Sequence, residues 1–139
     1  MRNKSHLALM EQLIMLMVFA IAAALCLQIF ALSGRISKNI ETRDRAIIAV
    51  QNAAESIKIS NGDFGKCASF YGGTASEDSW NIYYDANWEI ASSDSAVYCI
   101  TANISDNDTA YLGTADVSAA TLDGEVLFKV TASWQEVAP

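Results

Sequence analysis

The sequence predicts an α+β protein in which one long N-terminal helix lays its second half against a small antiparallel sheet. Three observations carry that prediction. Residues 7–32, LALMEQLIMLMVFAIAAALCLQIFAL, form a nearly unbroken apolar run. Helical periodicity then continues through Ile36, Ile40, Ile47, Val50, Ala54 and Ile57, which fall on one helical face. After Asn61–Gly62 the pattern changes to short alternating segments separated by turn residues.

The elements follow in chain order. Residues 1–6 are a short basic leader, with Arg2 and Lys4. Residues 7–33 form the apolar helix half. A helix rises about 1.5 Å per residue, so about 20 such residues cross a hydrocarbon core of ~30 Å. Residues 34–60 continue the helix as an amphipathic segment, with Lys38, Glu41, Asp44, Arg45, Gln51 and Glu55 largely off the apolar face. No proline interrupts residues 1–138, and Gly34 is a weak point costing about 1 kcal/mol relative to alanine. The expected helix runs from about Ala8 to about Ile59 and stops at Asn61–Gly62.

Residues 61–139 are the head. Asp63 to Ser79, with Gly65, Gly72 and Gly73, is expected to be an irregular loop. Trp80–Tyr84 and Trp88–Ala91 flank Asp85–Ala86–Asn87 and are expected to pair as a hairpin. Ala96–Ile104 alternates as a longer strand. Ala115–Leu122 and Glu125–Trp134 flank Asp123–Gly124, a strong tight-turn dipeptide. In the last strand Val126, Phe128, Val130, Ala132 and Trp134 share one face. The sum is a meander of four or five strands with one face on the helix.

Charge narrows the function classes. Residues 59–139 carry twelve carboxylates against Lys66 and Lys129, a net charge of −10. Nucleic acid is disfavoured as a partner, because phosphates require Lys and Arg. Such a surface also disfavours adsorption to anionic lipid and suits a solvated exterior. The apolar run exceeds the roughly 7–15-residue core of a cleaved secretory signal. Cys26 follows small residues, as in a lipoprotein signal, but apolar sequence rather than a polar tether comes after it.

Glu11 is the residue to explain. An ionisable group in or at the edge of a membrane helix costs roughly 2.5–3.5 kcal/mol on insertion scales. One reading starts the span at Leu13 and leaves Glu11 wet in the head-group layer. The other pairs Glu11 with a cation of another chain, which favours assembly and sets register. Topology is open from charge alone. Arg35, Lys38, Arg43 and Arg45 after the span mildly favour a cytoplasmic C-terminus, whereas the acidic, Ser- and Thr-rich head favours export.

Other constellations are sparse. Cys67 and Cys99 lie 32 positions apart in the sequence. In an exported domain they would form a disulfide worth roughly 3–4 kcal/mol, and two free thiols are the alternative. Asp106–Asn107–Asp108–Thr109 resembles half a calcium loop, with Asp106 and Asp108 as weak ligand candidates. It lacks the glycine and the later glutamate of a full loop and reads as a solvated turn. His6 is the sole histidine, so no His-based metal cluster or Ser-His-Asp arrangement exists in the head. No catalytic residue and no cofactor are assigned, and the protein reads as non-enzymatic. Trp80, Tyr83, Tyr84 and Trp88 are expected to be sheet core, with a sugar-binding face as the alternative.

The layout resembles that of type IV pilins and pseudopilins, particularly the minor components of Gram-positive bacteria. The resemblance rests on the leader Met1–His6, the apolar helix with Glu11 four positions after Leu7, and the amphipathic continuation into a small sheet. The stretches AVQNAAESIK, NGDF, YYDANWE and DGEVLFKV belong to the same likeness. It implies cleavage of the leader by a prepilin peptidase between His6 and Leu7, and methylation of the new amine. It further implies helix-to-helix packing in a surface filament or secretion pseudopilus, with Glu11 neutralising the Leu7 amine of a neighbouring subunit. The implied partners are other pilin-like subunits, with cytoplasmic-membrane lipid before assembly, and the implied topology is single-pass with an extracellular head. This chain has His6 where the family usually has glycine, Leu7 where it has Phe or Met, and no helix-kinking proline. The rival is a membrane-anchored extracellular binding module that does not polymerise.

Overall fold

A computed structural model describes residues 2–106, 109 and 111–136. The architecture is α+β, as the sequence predicts: a long N-terminal helix and a five-stranded antiparallel sheet in the order β1-β2-β3-β4-β5. The elements are α1 (Arg2–Ile59), α2 (Phe64–Tyr71), β1 (Thr74–Ala75), β2 (Ser79–Tyr84), β3 (Tyr98–Ser105), β4 (Leu112–Thr121) and β5 (Val126–Gln135). Contacts divide the chain into two units, residues 1–41 and 42–139, and the division falls inside α1.

The first unit is helix throughout its described residues. α1 begins at Arg2, so the basic leader continues the helix that the sequence reading starts at Ala8. Nothing in residues 2–6 breaks a helix: there is no proline or glycine, and each residue offers its backbone groups to the next turn. Every residue from Asn3 to Glu41 is exposed, including Ile36 and Ile40 of the expected amphipathic stripe. Gly34 lies within the helix and does not end it.

The second unit contains the core. Ala46, Val50, Ala53, Ala54 and Ile57 of α1 are buried with Phe64, Cys67, Trp80, Ile82, Ile100, Ala102, Ala115, Val117, Ala119, Ala132 and Trp134. Small Ala46, Ala53 and Ala54 and larger Val50 and Ile57 make up the helix side of this core. The helix ends where the sequence says it should. Asn61 takes φ 51° and Gly62 φ 78°. The Asn61 amide donates to the Lys58 carbonyl at 3.2 Å and the Gly62 amide to the Ile57 carbonyl at 2.9 Å. These two bonds form the left-handed stop that satisfies the last carbonyls of a helix.

Three features differ from the sequence reading. The expected loop after Asp63 contains α2. Asp63 caps it, accepting from the Lys66 amide at 3.1 Å, and Phe64 and Cys67 turn one face inward. The expected partner strand Trp88–Ala91 does not form. Asp85 Oδ1 accepts from the Asn87 and Glu89 amides at 2.8 and 3.0 Å and curls the chain, while Trp88 takes φ 62°. Only a single bridge, Tyr84 to Ile90, remains of the expected hairpin, and β2 pairs instead with β3. The sheet gains a short edge strand, β1, paired to β2.

The β4–β5 hairpin matches expectation. The Gly124 amide donates to the Thr121 carbonyl at 3.0 Å, with Gly124 at φ 95°. Register alternation then sets the two sheet faces. Trp80, Ile82, Ile100, Ala102, Val117, Ala119, Ala132 and Trp134 share the buried face, and Asn81, Thr101, Asn103, Asp116, Ser118, Lys129, Thr131 and Ser133 share the other.

Candidate functional site

The apolar half of α1 is the candidate site. From Leu7 to Leu32 it exposes leucine, isoleucine, methionine and phenylalanine side chains on every side. One helix, near the N-terminus, is long and apolar enough to cross a membrane. Exposed apolar surface of this extent is unfavourable in water.

Glu11 sits on this surface. Helical spacing places Leu7 and Met15 one turn to either side of it, and Ile14 beside it. Lys4, Leu7, Ala8, Met10, Glu11, Ile14 and Met15 line one shallow depression. Lys4 is the nearest cation in this group, seven residues away, or about 10.5 Å along the axis. Glu11 has no hydrogen bond or ion pair among the described residues. His6 and Leu7 are both exposed, and the bond between them lies within the first turns of α1. The arrangement can donate a negative charge, on an apolar helix face, to a cation that the helix itself does not supply.

The other candidate residues do not converge. Cys67 is fully buried in the core, on α2. Cys99 lies on β3 between Ile100 and Tyr98 and points to the opposite sheet face, where it contacts Thr101 Oγ1 at 3.6 Å. Both are free thiols, as is Cys26. The expected disulfide is therefore absent, and alternation explains why: Ile100 and Ala102 of β3 face the core that holds Cys67, so Cys99 cannot. Burial pushes the Cys67 thiol pKa up. Asp106 is exposed, and Asp108, the other weak calcium candidate, lies outside the described residues. Among the described residues no group of three or more His, Cys, Asp or Glu side chains could hold a metal ion.

The aromatic residues divide between the two faces. Trp80 is core, and its Nε1 donates to the Gly72 carbonyl at 3.0 Å. Tyr83 alternates to the opposite face. Trp88 stacks on Tyr98 with ring centroids 4.3 Å apart and planes at 10°, and Tyr84 lies 5.7 Å away. The four residues named from sequence thus do not form one platform, and Tyr98, not among them, completes the stack. The sequence reading also passed over a cross-strand cluster on the polar face. Asp116 accepts from Thr131 Oγ1 at 2.7 Å and pairs with Lys129 at 2.9 Å. Those bonds, from Thr131 first and Lys129 second, hold the Asp116 carboxyl below the ordinary carboxylate range. The Asp123–Gly124 turn alone would set Asp116 opposite Val130, and a one-residue register shift at Ala119/Ala120 brings it to Thr131, so the cluster had no signal in the sequence.

No protein-family model matches the chain, and neither a curated protein nor a solved structure matches it significantly.

Proposed function

We propose that the protein is a non-enzymatic, pilin-like structural subunit of a membrane-derived filament or secretion pseudopilus. The observation that supports this reading most is the exposed apolar half of α1, which carries one carboxylate and no intrahelical partner for it. A tether that only anchored the head would be equally served by an uncharged span. A carboxylate that costs roughly 2.5–3.5 kcal/mol to insert is better explained by a cation met in an assembly. In such an assembly the attraction between desolvated opposite charges exceeds its value in water. On this reading the partner cation is the Leu7 amine of a neighbouring copy or related subunit, the helix spans the cytoplasmic membrane before assembly, and the head is extracellular.

The test is intact mass and N-terminal sequence of the protein taken from its native membrane. A chain beginning at methylated Leu7 is the expected result. The His6–Leu7 bond is helical, so processing there requires the first turns of α1 to unwind. A chain still beginning at Met1 would remove the proposed amine and give first place to an anchored, non-polymerising binding module.

A further inference from the structure

The two edges of the sheet are unlike. At one edge β1 covers part of β2, the Ala91 amide donates to the Tyr83 carbonyl at 2.9 Å, and Ile90 bridges Tyr84. At the other, β5 runs ten residues and pairs, among the described residues, with β4 alone. Its length is about 30 Å at roughly 3.4 Å per residue. Edge strands are usually shortened, bulged, blocked by proline or guarded by an unpaired charge. β5 from Val126 to Gln135 has no proline, its one bulge lies at its start opposite Ala119 and Ala120, and its lysine, Lys129, pairs with Asp116.

The ladder identifies which backbone groups are free to pair. Antiparallel pairs alternate between hydrogen-bonded and non-hydrogen-bonded. The Glu136 amide donates to the Tyr111 carbonyl, and Leu112 is opposite Gln135, so the bonded pairs are Gly113–Trp134, Ala115–Ala132, Val117–Val130 and Ala119–Phe128. Lys129, Thr131, Ser133 and Gln135 therefore point their N–H and C=O groups away from β4, up to the register shift at Ala119/Ala120. The close contact of Thr131 with Asp116 is the one expected of a non-hydrogen-bonded pair. On the core side of the same edge Phe128 and Val130 are only half-buried.

Charge selects the occupant. Asp123 and Glu125 are exposed at the start of β5, and Glu136 is exposed at its end. A second copy adding its own β5 in antiparallel fashion would set Asp123 and Glu125 of one copy beside Glu136 of the other. A strand with cations at its ends meets opposite charge at both.

We propose that the β5 edge docks an extended segment of a different protein, added as a sixth strand, with alternating apolar residues and Lys or Arg at both ends. Its apolar residues extend the core beside Phe128 and Val130, and its backbone satisfies the four outward residues of β5, Lys129, Thr131, Ser133 and Gln135. This proposal concerns the head and does not depend on the filament reading.

The experiment uses the full chain in detergent micelles and a labelled twelve-residue peptide of alternating Thr and Val with two lysines at each end. The expected result is saturable binding by fluorescence anisotropy. Ser133→Pro removes an outward N–H without touching a β4 bond and should weaken binding at least about tenfold. Glu125→Gln with Glu136→Gln should weaken it about threefold or more, as should raising salt from low to high ionic strength. Should Ser133→Pro misfold, amide exchange of the native chain decides: peptide should slow residues 129, 131, 133 and 135 selectively. Three results overturn the proposal. They are no saturable binding, equal binding of the same peptide with glutamates for lysines, and self-association of the full chain that a folded Ser133→Pro abolishes, which would assign the edge to a second copy.

Discussion

Trp134 shows how single residues fix the head. An alanine Cβ at Gly113, its partner on β4, would come within 2.2 Å of the indole, and one at Gly62 within 2.3 Å. The ring thus covers the helix stop and the neighbouring strand at once, and both positions exclude any side chain. Gly113→Ala keeps an accessible backbone conformation, so its effect isolates the clash. It should destabilise the head by about 1–3 kcal/mol, the usual cost of overpacking, with an altered Trp fluorescence spectrum. Denaturant unfolding measures it, and an unchanged midpoint would contradict this packing. The thiols give a second check at the same scale. In the folded, unreduced protein a maleimide should label the half-buried Cys99 and leave Cys67 unmodified, because Cys67 is buried and its pKa is raised. Protection of both until reductant is added would restore the disulfide.

The elements of the chain differ in how clearly the sequence announces them. α1 was legible because apolar residues, spaced for a helix and free of proline, run without interruption to Asn61–Gly62, and both termini of that argument are local chemistry. β4 and β5 were legible through their alternation and Asp123–Gly124. α2 was missed because glycines at 62, 65, 72 and 73 outweighed a shorter signal: Asp63 as a cap, then Phe64, Cys67 and Ala68 at helical spacing. The expected hairpin failed because Asp85 offers its carboxylate to two amides, a local alternative to a ladder. The expected apolar face of α1 is buried at Val50, Ala54 and Ile57, but Ile36 and Ile40 at its start stay exposed, and Ala46 and Ala53 join the core without having been named. Alanine is a weak periodic signal, and burial by a sheet is a tertiary event. At this scale the cap of α2 is testable by pH. The Asp63 carboxyl lies below its ordinary value, chiefly through the Lys66 amide and then the Lys66 side chain. A lowered folded pKa contributes stability that is present above the unfolded value and lost as pH falls through the folded one. Amide exchange in α2, taken relative to its intrinsic rate at each pH, should therefore accelerate below about pH 4. Asp63→Ala should accelerate it at neutral pH and abolish the acid dependence specific to α2, whereas unchanged exchange in the variant would remove the cap from the account.

The whole molecule joins a head that buries its own apolar surface to a half-helix that leaves every apolar residue exposed. The head has a buried core of its own, whereas residues 3–41 of the helix bury no side chain. What covers it was partly legible. Length and hydropathy identify a segment able to cross a bilayer, and Glu11 is a charge with no partner among the described residues; on the proposed reading that partner belongs to another chain and leaves no mark in this sequence. Cys26, exposed within the apolar run, provides a direct probe. The decisive measurement is oxidative cross-linking through Cys26 in the native membrane, using a Cys99→Ser background so that Cys26 is the accessible thiol. We predict cross-links to neighbouring helices that fall at least about tenfold with Glu11→Ala, at unchanged membrane insertion, as befits losing a desolvated ion pair. Cross-linking that is absent, or equal with and without the Glu11 carboxylate, would contradict assembly through this helix.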